Sequence, residues 1–190
     1  MSVSTATVAD LTREPRSRAR TAGFFYLLTF ATATFPLLVP NRLSMTAGLL
    51  AGVCYVVVTL LLYFIFASVN QIVALSAMIV SLAGCAVGLL IQAHLLPAKI
   101  NPLMCFGVYC LLIGYRILKS TFLPRILAAG MVFAGLGWLT FFSLQLANSL
   151  SPYNLFPGIL GEGGLTLWLL LRGVDEKRWR EQLSARRALP

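Results

Sequence analysis

Glu162 is the only acidic residue inside the long apolar stretches of this 190-residue chain. It precedes Arg172 by ten residues, which is about 15 Å along a helix and places it near the middle of a hydrocarbon core about 30 Å thick. An ionised side chain at that depth costs about 3 kcal/mol even on permissive scales, so Glu162 is expected to face other helices and to have a partner. Desolvation favours its protonated form unless a cation is close.

The partners of Glu162 can be sought at the same depth on other helices. Counting from the helix ends places two tyrosines there, Tyr55 and Tyr109, together with Thr29, Cys54, Cys85 and Cys110. One interpretation is a neutral Glu162 hydrogen-bonded to Tyr109 or Tyr55, and the other is a proton relay or a ligand contact. A third arrangement pairs an ionised Glu162 with Arg116 reaching inward. The neighbouring Gly161, Gly163 and Gly164 allow close helix approach or a local break in the helix.

Other residues with chemical potential do not combine into a known site. The four cysteines form no C-x-x-C pair and have no zinc-like spacing, which favours packing roles (Cys54, Cys85, Cys105 and Cys110). His94 has Gln92 close by, at the outer end of an apolar run, and lacks a second ligand, so we expect it to face headgroups; a ligand contact is the alternative. Serine-hydrolase, zinc-protease and carboxylate-pair chemistries each lack members. The sequence therefore predicts no catalytic residue, no metal and no cofactor.

The composition indicates a membrane protein. Hydrophobic residues make up 58% of the chain and charged residues 11%, whereas soluble domains carry about 25% charged residues. The net charge of +9 is concentrated at the ends of apolar runs and in the tails, not in a stripe on a polar domain. This distribution suits anionic lipid headgroups and argues against nucleic-acid binding.

The apolar stretches predict six crossings in an all-α bundle. Residues 43–98 form an uncharged run of 56 residues, while one crossing needs about 20, so this run contains two helices. Asn70 can cap the second of them. Asn101-Pro102 and Ser151-Pro152 carry helix-start signals. The predicted spans are 21–40, 43–67, 71–96, 102–119, 125–147 and 152–172.

The basic residues predict that both termini lie in the cytoplasm of a bacterial cell. With the N-terminus inside, 13 of the 15 lysines and arginines lie inside, and only Arg42 and Lys99 lie outside. Residues 1–20 are expected to form a disordered basic tail, residues 21–174 the transmembrane domain, and residues 175–190 a basic tail. That last tail is either a short amphipathic helix or a frayed end. A cleaved secretory signal ending at Ala31-Thr32-Ala33 is a rival interpretation, opposed by the apolar run continuing through Val39.

Three segments resemble one bacterial membrane family. They are the opening Arg20–Leu28, the stretch from Phe106 through Tyr115 to Leu127, and Gly161–Glu162 leading through Leu167–Leu170 into Arg172–Val174. The pattern resembles the family known as domain of unknown function 4386, over roughly residues 20 to 175 and more specifically in the C-terminal half. The resemblance implies six helices and no particular activity.

Three functions of different class stay open. The favoured one is a non-enzymatic accessory protein or a bundle that binds lipid-like molecules; an accessory protein predicts a dry core. A proton-coupled carrier built around Glu162 predicts a cavity that reaches this residue from one side. A membrane enzyme acting on a lipid or quinone-like substrate predicts several polar groups converging beside such a cavity. The expected partners are membrane lipids, anionic headgroups at the cytoplasmic face, and a second copy of the chain or another membrane protein.

Overall fold

The computed structural model describes residues 15–38, 42–97 and 100–187, and these are all helical or loop, without a strand. Its eight α-helices are α1 Pro15–Leu38, α2 Arg42–Phe66, α3 Gln71–Gln92, α4 Leu103–Lys119, α5 Arg125–Leu139, α6 Leu144–Leu150, α7 Phe156–Leu171 and α8 Glu176–Arg187. Two short 3₁₀ turns, Thr140–Phe142 and Tyr153–Leu155, flank α6. The chain is thus an all-α protein.

Four of the described helical segments are long and apolar enough to cross a membrane. They are Met45–Phe66, Gln71–Gln92, Arg125–Phe142 and Tyr153–Leu171. They belong to α2, α3, α5 and α7, and their combination of length and composition is that of a multi-pass membrane protein. The other two predicted crossings correspond to α1 and to α4, which has 17 residues.

The six long helices pack in a ring. Each of α1, α2, α3, α4, α5 and α7 contacts the next, and α7 closes the ring against α1. Buried side chains from α1, α2, α4, α5 and α7 meet inside it, among them Tyr26, Val58, Ile113, Met131 and Leu165. The ring therefore has an interior in which cavities and polar groups are shielded from lipid.

The bundle has two unlike ends. At one end, the start of α1 meets the end of α7, where Arg20 Nη2 donates to the Leu171 carbonyl at 3.4 Å. Most of the basic residues of the described chain lie at this end, which we call the basic end. At the opposite end, the end of α3 meets the start of α2, where Gln92 Nε2 donates to the Met45 carbonyl at 2.9 Å. Both α1 and α8 contact the basic end, so the two terminal segments lie on the same side.

Several predicted boundaries were wrong by a few residues to two turns. The first helix begins at Pro15, so residues 15–20 are helical and not part of a disordered tail; residues 1–14 lie outside the described part. The third helix ends at Gln92 because His94 adopts a left-handed backbone, with φ of 59°. The fifth ends at Leu139, since Ser143 is extended and starts the separate helix α6.

The C-terminal helix α8 is docked across the basic end. Trp179, 4% exposed, donates its indole N–H to the Ile65 carbonyl at 2.9 Å, at the end of α2. Gln182 bonds the turn between α4 and α5, donating to the Lys119 carbonyl and accepting from the Thr121 N–H, both at 3.0 Å. Of the two alternatives for residues 175–190, the helix is therefore observed over residues 176–187.

Candidate functional site at the floor of an apolar pouch

Glu162 lies inside the ring, 4% exposed, and is held by three hydrogen-bond donors from three other helices. The Tyr26 hydroxyl of α1 donates to Oε2, and the Tyr55 hydroxyl of α2 lies 3.1 Å from the same oxygen. The Trp138 indole N–H of α5 donates to Oε1. Both carboxyl oxygens are thus occupied by side chains of the protein itself, as a buried polar group requires.

Two glycines of α7 set this arrangement. A Cβ at Gly158 would overlap the ring of Trp138, so the indole can pack against α7 only because residue 158 has no side chain. A Cβ at Gly161 would overlap the carbonyl oxygen of Gly130, so α5 and α7 touch through their backbones. By contrast, Gly163 and Gly164 have open space around them. Helix α7 runs unbroken through all of them, which supports close approach and not a local break.

A cavity of about 320 Å³ opens above this network. Its wall is almost entirely apolar and is built by five helices and the turn before α7, with Glu162 at one extreme; the lining residues are Tyr26, Thr29, Phe30, Ala33, Thr34, Ala51, Gly52, Tyr55, Leu103, Phe106, Trp138, Leu155, Ile159 and Glu162. The two threonines turn their hydroxyls to their own helix, donating to the Phe25 and Phe30 carbonyls at 2.9 Å. We call this cavity the pouch.

The pouch occupies the half of the bundle away from the basic end. Most of its residues come from the second half of α1, the first half of α2, the starts of α4 and α7 and the end of α5, which lie toward the opposite end. Tyr26 and Tyr55 lie near the middle of their helices. Below Glu162, toward the basic end, the ring is filled by packed side chains such as Val58, Ile113, Leu165 and Leu169. The pouch therefore has its floor at Glu162, on the side that faces the basic end.

Of the three predicted partners Tyr55, Tyr109 and Arg116, Tyr55 is the one that contacts Glu162. Tyr55 contacts the carboxyl group, whereas the Tyr109 hydroxyl is buried without a hydrogen-bond partner in the described part of the chain. Arg116 does not reach Glu162; its Nη1 donates to the Asn70 carbonyl at the basic end. His94 is exposed beyond the end of α3 and is not among the residues of the pouch.

Tyr26 and Trp138 contact Glu162 but were not predicted. Counting depth from helix ends locates Cα atoms, and it placed Thr29, not Tyr26, at the level of Glu162. Tyrosine and tryptophan side chains are long enough to reach a level about one turn away from their own Cα. A search for buried aromatic donors within one turn of the glutamate, in place of residues at equal depth, would have found both.

The cysteines and possible metal ligands form no centre in the described residues. Cys54, Cys85 and Cys110 are buried and Cys105 is half-buried, all as free thiols. No group of three or more histidine, cysteine, aspartate or glutamate side chains comes close enough to hold a metal ion within the described ranges. The polar chemistry at the pouch thus comes from one carboxyl, two phenols and one indole.

One segment of the chain matches a known protein family. Residues 87–173 match the family model described as Domain of unknown function (DUF4386). This match confirms the family resemblance predicted from the sequence over these residues, which make up less than half of the chain. No curated protein and no solved structure matches the chain.

The DUF4386 match covers the end of α3 and all of α4 to α7. It contains Glu162 and Trp138, while Tyr26 and Tyr55 lie before it on α1 and α2. The carboxyl network therefore joins the matched domain to the N-terminal helices, and the pouch needs both parts of the chain.

Proposed function

We propose that this protein is a non-enzymatic, multi-pass protein of the bacterial cytoplasmic membrane whose pouch binds an apolar, lipid-like molecule. The observation that carries the proposal is a cavity of about 320 Å³ with an almost wholly apolar wall inside the helix ring. Small-molecule sites are typically about 300–1,000 Å³, mostly apolar, with a few polar groups. An accessory bundle with a dry, fully packed core is expected to lack such a cavity.

The polar groups of the pouch define the ligand class further. Glu162 accepts from Tyr26, Tyr55 and Trp138, so its carboxyl group has little hydrogen-bonding capacity left for a ligand. A ligand with several polar groups would leave them unpaired against the apolar wall, at about 1–3 kcal/mol each. We therefore propose a ligand that is apolar along its length, with at most one polar end group near the two tyrosine hydroxyls.

The proposed topology has six crossings, with α1 and α4 as the first and fourth. Both termini are then cytoplasmic, because the basic end carries the tails and basic residues are retained inside. The pouch would then lie in the outer half of the membrane. Reporter fusions after residue 190 and within the turn at 151–153 test this: the first should be active only in the cytoplasm and the second only outside. A periplasmically active C-terminal reporter would contradict the proposal.

The binding proposal can be tested by filling the pouch. Ala33 and Ala31 are both exposed residues of α1; Ala33 lines the pouch and Ala31 does not. We expect Ala33→Trp to reduce the apolar molecules that co-purify with the protein, as measured by mass spectrometry of solvent extracts, while Ala31→Trp leaves them unchanged. Both variants add the same surface to the same helix. Equal lipid content in the parent and both variants would refute binding in the pouch.

A second candidate, a proton-coupled carrier, is favoured by one observation: the cavity reaches the buried carboxyl of Glu162 from one side. A carrier also needs access from the basic end, where packed side chains now fill the ring. Purified protein in vesicles with an imposed pH gradient would distinguish the candidates. A carrier predicts proton flux that Glu162→Gln abolishes, and a binding protein predicts the same background flux for the parent and the variant.

A further inference from the structure

Two arginines converge on the turn between α2 and α3 at the basic end. Arg116 of α4 donates from Nη1 to the Asn70 carbonyl, and its guanidinium lies 5.5 Å from the centre of the Phe66 ring. Arg186 of α8 donates from Nη1 to the Ala67 carbonyl and from Nη2 to Gln71 Oε1 at 3.3 Å. Both guanidinium groups therefore bind backbone carbonyls of the same short turn, at residues 67 and 70.

Arg116 is left with unused donors. Its side chain is fully buried, at 0% exposure, and both Nε and Nη2 have no hydrogen-bond partner in the described part of the chain. These two atoms share one edge of the guanidinium, the edge that binds carboxylate or phosphate oxygens through two parallel N–H bonds. The free edge is therefore shaped for an oxyanion.

The acidic residues of the described part do not supply that oxyanion. Asp175 pairs with Arg178 and Glu176 with Arg180. Glu181 is an exposed residue of α8. Glu162 is occupied by its own donors in the other half of the bundle. A buried cation without a counter-charge is strongly destabilising, and a second cation beside it adds to the cost.

We infer that Arg116 and Arg186 form a binding site for one phosphate-type oxyanion beneath α8. The Nε and Nη2 edge of Arg116 supplies two parallel hydrogen bonds, and the partly exposed Arg186 supplies the second positive charge and the approach from the basic face. The anion is either free phosphate or the phosphate of a lipid headgroup, since both present the same oxygens at this end of the bundle.

Anion binding at this site is coupled to the docking of α8. Arg186 belongs to α8 and Arg116 to α4, so repulsion between them weakens docking when no anion is present. An anion shared by both reverses the sign of that interaction. Anything that binds only the docked form stabilises it by mass action. The inference is independent of the pouch and of what the pouch binds.

Limited trypsin digestion of delipidated protein in neutral detergent tests the site. Lys177, Arg178 and Arg180 provide cleavage points in α8, and cleavage follows the population of undocked helix when undocking is fast. At an anion concentration ten times its Kd, cleavage should slow about tenfold. The probes are inorganic phosphate against chloride at equal ionic strength, and micelles with phosphatidylglycerol against phosphatidylcholine. Protection by phosphate alone indicates the free ion, and protection by phosphatidylglycerol alone indicates a headgroup; each supports the site.

Variants make the test specific. Arg186→Gln and Arg116→Gln should lose the protection, while Arg180→Gln, an exposed arginine of the same helix, should keep it. Arg186→Gln suffices if Arg116→Gln does not fold. The inference is overturned if neither probe protects the parent, or if Arg186→Gln retains the protection. It is also overturned if Arg180→Gln loses protection to the same degree as Arg186→Gln, which would indicate general charge screening.

Discussion

Among the described residues, the bundle buries one carboxyl group and one guanidinium, and their surroundings differ. Glu162, below the pouch, has three donors for its two oxygens, from three helices. Arg116, beneath α8, has five N–H groups. Its Nη1 donates to one carbonyl and its guanidinium lies near the Phe66 ring, while Nε and Nη2 have no hydrogen-bond partner in the described part of the chain. The space around the two groups differs as well: an open cavity lies next to the carboxyl, whereas the guanidinium is fully buried beside the Phe66 ring.

This contrast indicates what each region can bind. A carboxyl group whose partners are all supplied by the protein leaves an apolar space above it, and such a space selects apolar ligands. A buried guanidinium with two unpaired nitrogens instead favours an anion, which accepts their hydrogen bonds and balances the positive charge. The half with the pouch therefore suits a lipid-like molecule, and the basic end suits an oxyanion.

The largest expected effect is that of Glu162→Lys. The Trp138 N–H can only donate, so a lysine ammonium would face a donor and no acid in the described chain could neutralise it. We expect a loss of several kcal/mol or failure to insert, seen as absent membrane-fraction protein. Glu162→Gln is the matched control. Its amide oxygen can accept from Trp138, and its NH₂ can donate to a tyrosine hydroxyl that rotates to accept, so its cost should be about 1 kcal/mol or less if the carboxyl is neutral.

The two Glu162 variants also test the comparison between Glu162 and Arg116. If thermal melts show Glu162→Gln to be as damaged as Glu162→Lys, the carboxyl is ionised and depends on its charge. The two buried groups would then resemble each other more than the hydrogen bonds indicate.

A second pair tests the contact that builds the pouch. Gly161→Ala places a methyl group on the Gly130 carbonyl and should cost about 1–3 kcal/mol through forced separation of α5 and α7. Gly163→Ala meets nothing within 4 Å and should gain up to about 1 kcal/mol from helix propensity. Detergent melting temperatures of the two variants should thus move in opposite directions. A neutral Gly161→Ala would show that the helices do not touch there.

Two buried indoles give a smaller and more direct comparison of the two ends. Trp138 donates to the Glu162 carboxyl and Trp179 to the Ile65 carbonyl. If Glu162 is neutral, Trp138→Phe and Trp179→Phe each remove one ordinary hydrogen bond and should each cost about 1 kcal/mol beyond the change in packing. A cost at Trp138 that is clearly larger, near the value of about 1.5–3 kcal/mol for bonds to charged groups, would indicate an ionised carboxyl.

The smallest effect concerns His94 at the end opposite α8. Its φ of 59° is left-handed, and the Leu95 N–H bonds the Leu90 carbonyl at 2.8 Å, as in helix ends that favour glycine at this position. His94→Gly should leave the protein equally stable or raise its stability by up to about 1 kcal/mol. A drop in melting temperature would instead indicate that the imidazole makes a contact of its own.

Much of the fold was predictable because lipid imposes simple rules. The length of the run 43–98 required two helices, and Asn70 does cap the second through bonds to the N–H groups of Ile72 and Val73. The early end of α3 before His94 and the break at Ser143 were not predictable. The left-handed backbone of His94 and the extended backbone of Ser143 change neither the charge pattern nor the hydropathy of the sequence.

The site was predictable only in part. Depth counting found Glu162 and Tyr55, because a buried acid and a phenol at equal depth can meet across any pair of neighbouring helices. It could not choose between Tyr55 and Tyr109, which depends on helix rotation. Nor could depth counting find the pouch. A cavity arises where five helices leave a shared space unfilled, and the sequence of any one helix does not reveal it.

The most direct test is an experimental structure of the protein extracted from native membranes into lipid nanodiscs. We expect elongated non-protein density in the pouch, against Tyr55, Phe106 and Ile159, ending next to the hydroxyls of Tyr26 and Tyr55 with the Glu162 carboxyl still bonded to Trp138. A pouch that is filled by repacked side chains, or a water-filled passage continuing past Glu162 toward the basic end, would contradict the proposed binding of a lipid-like molecule.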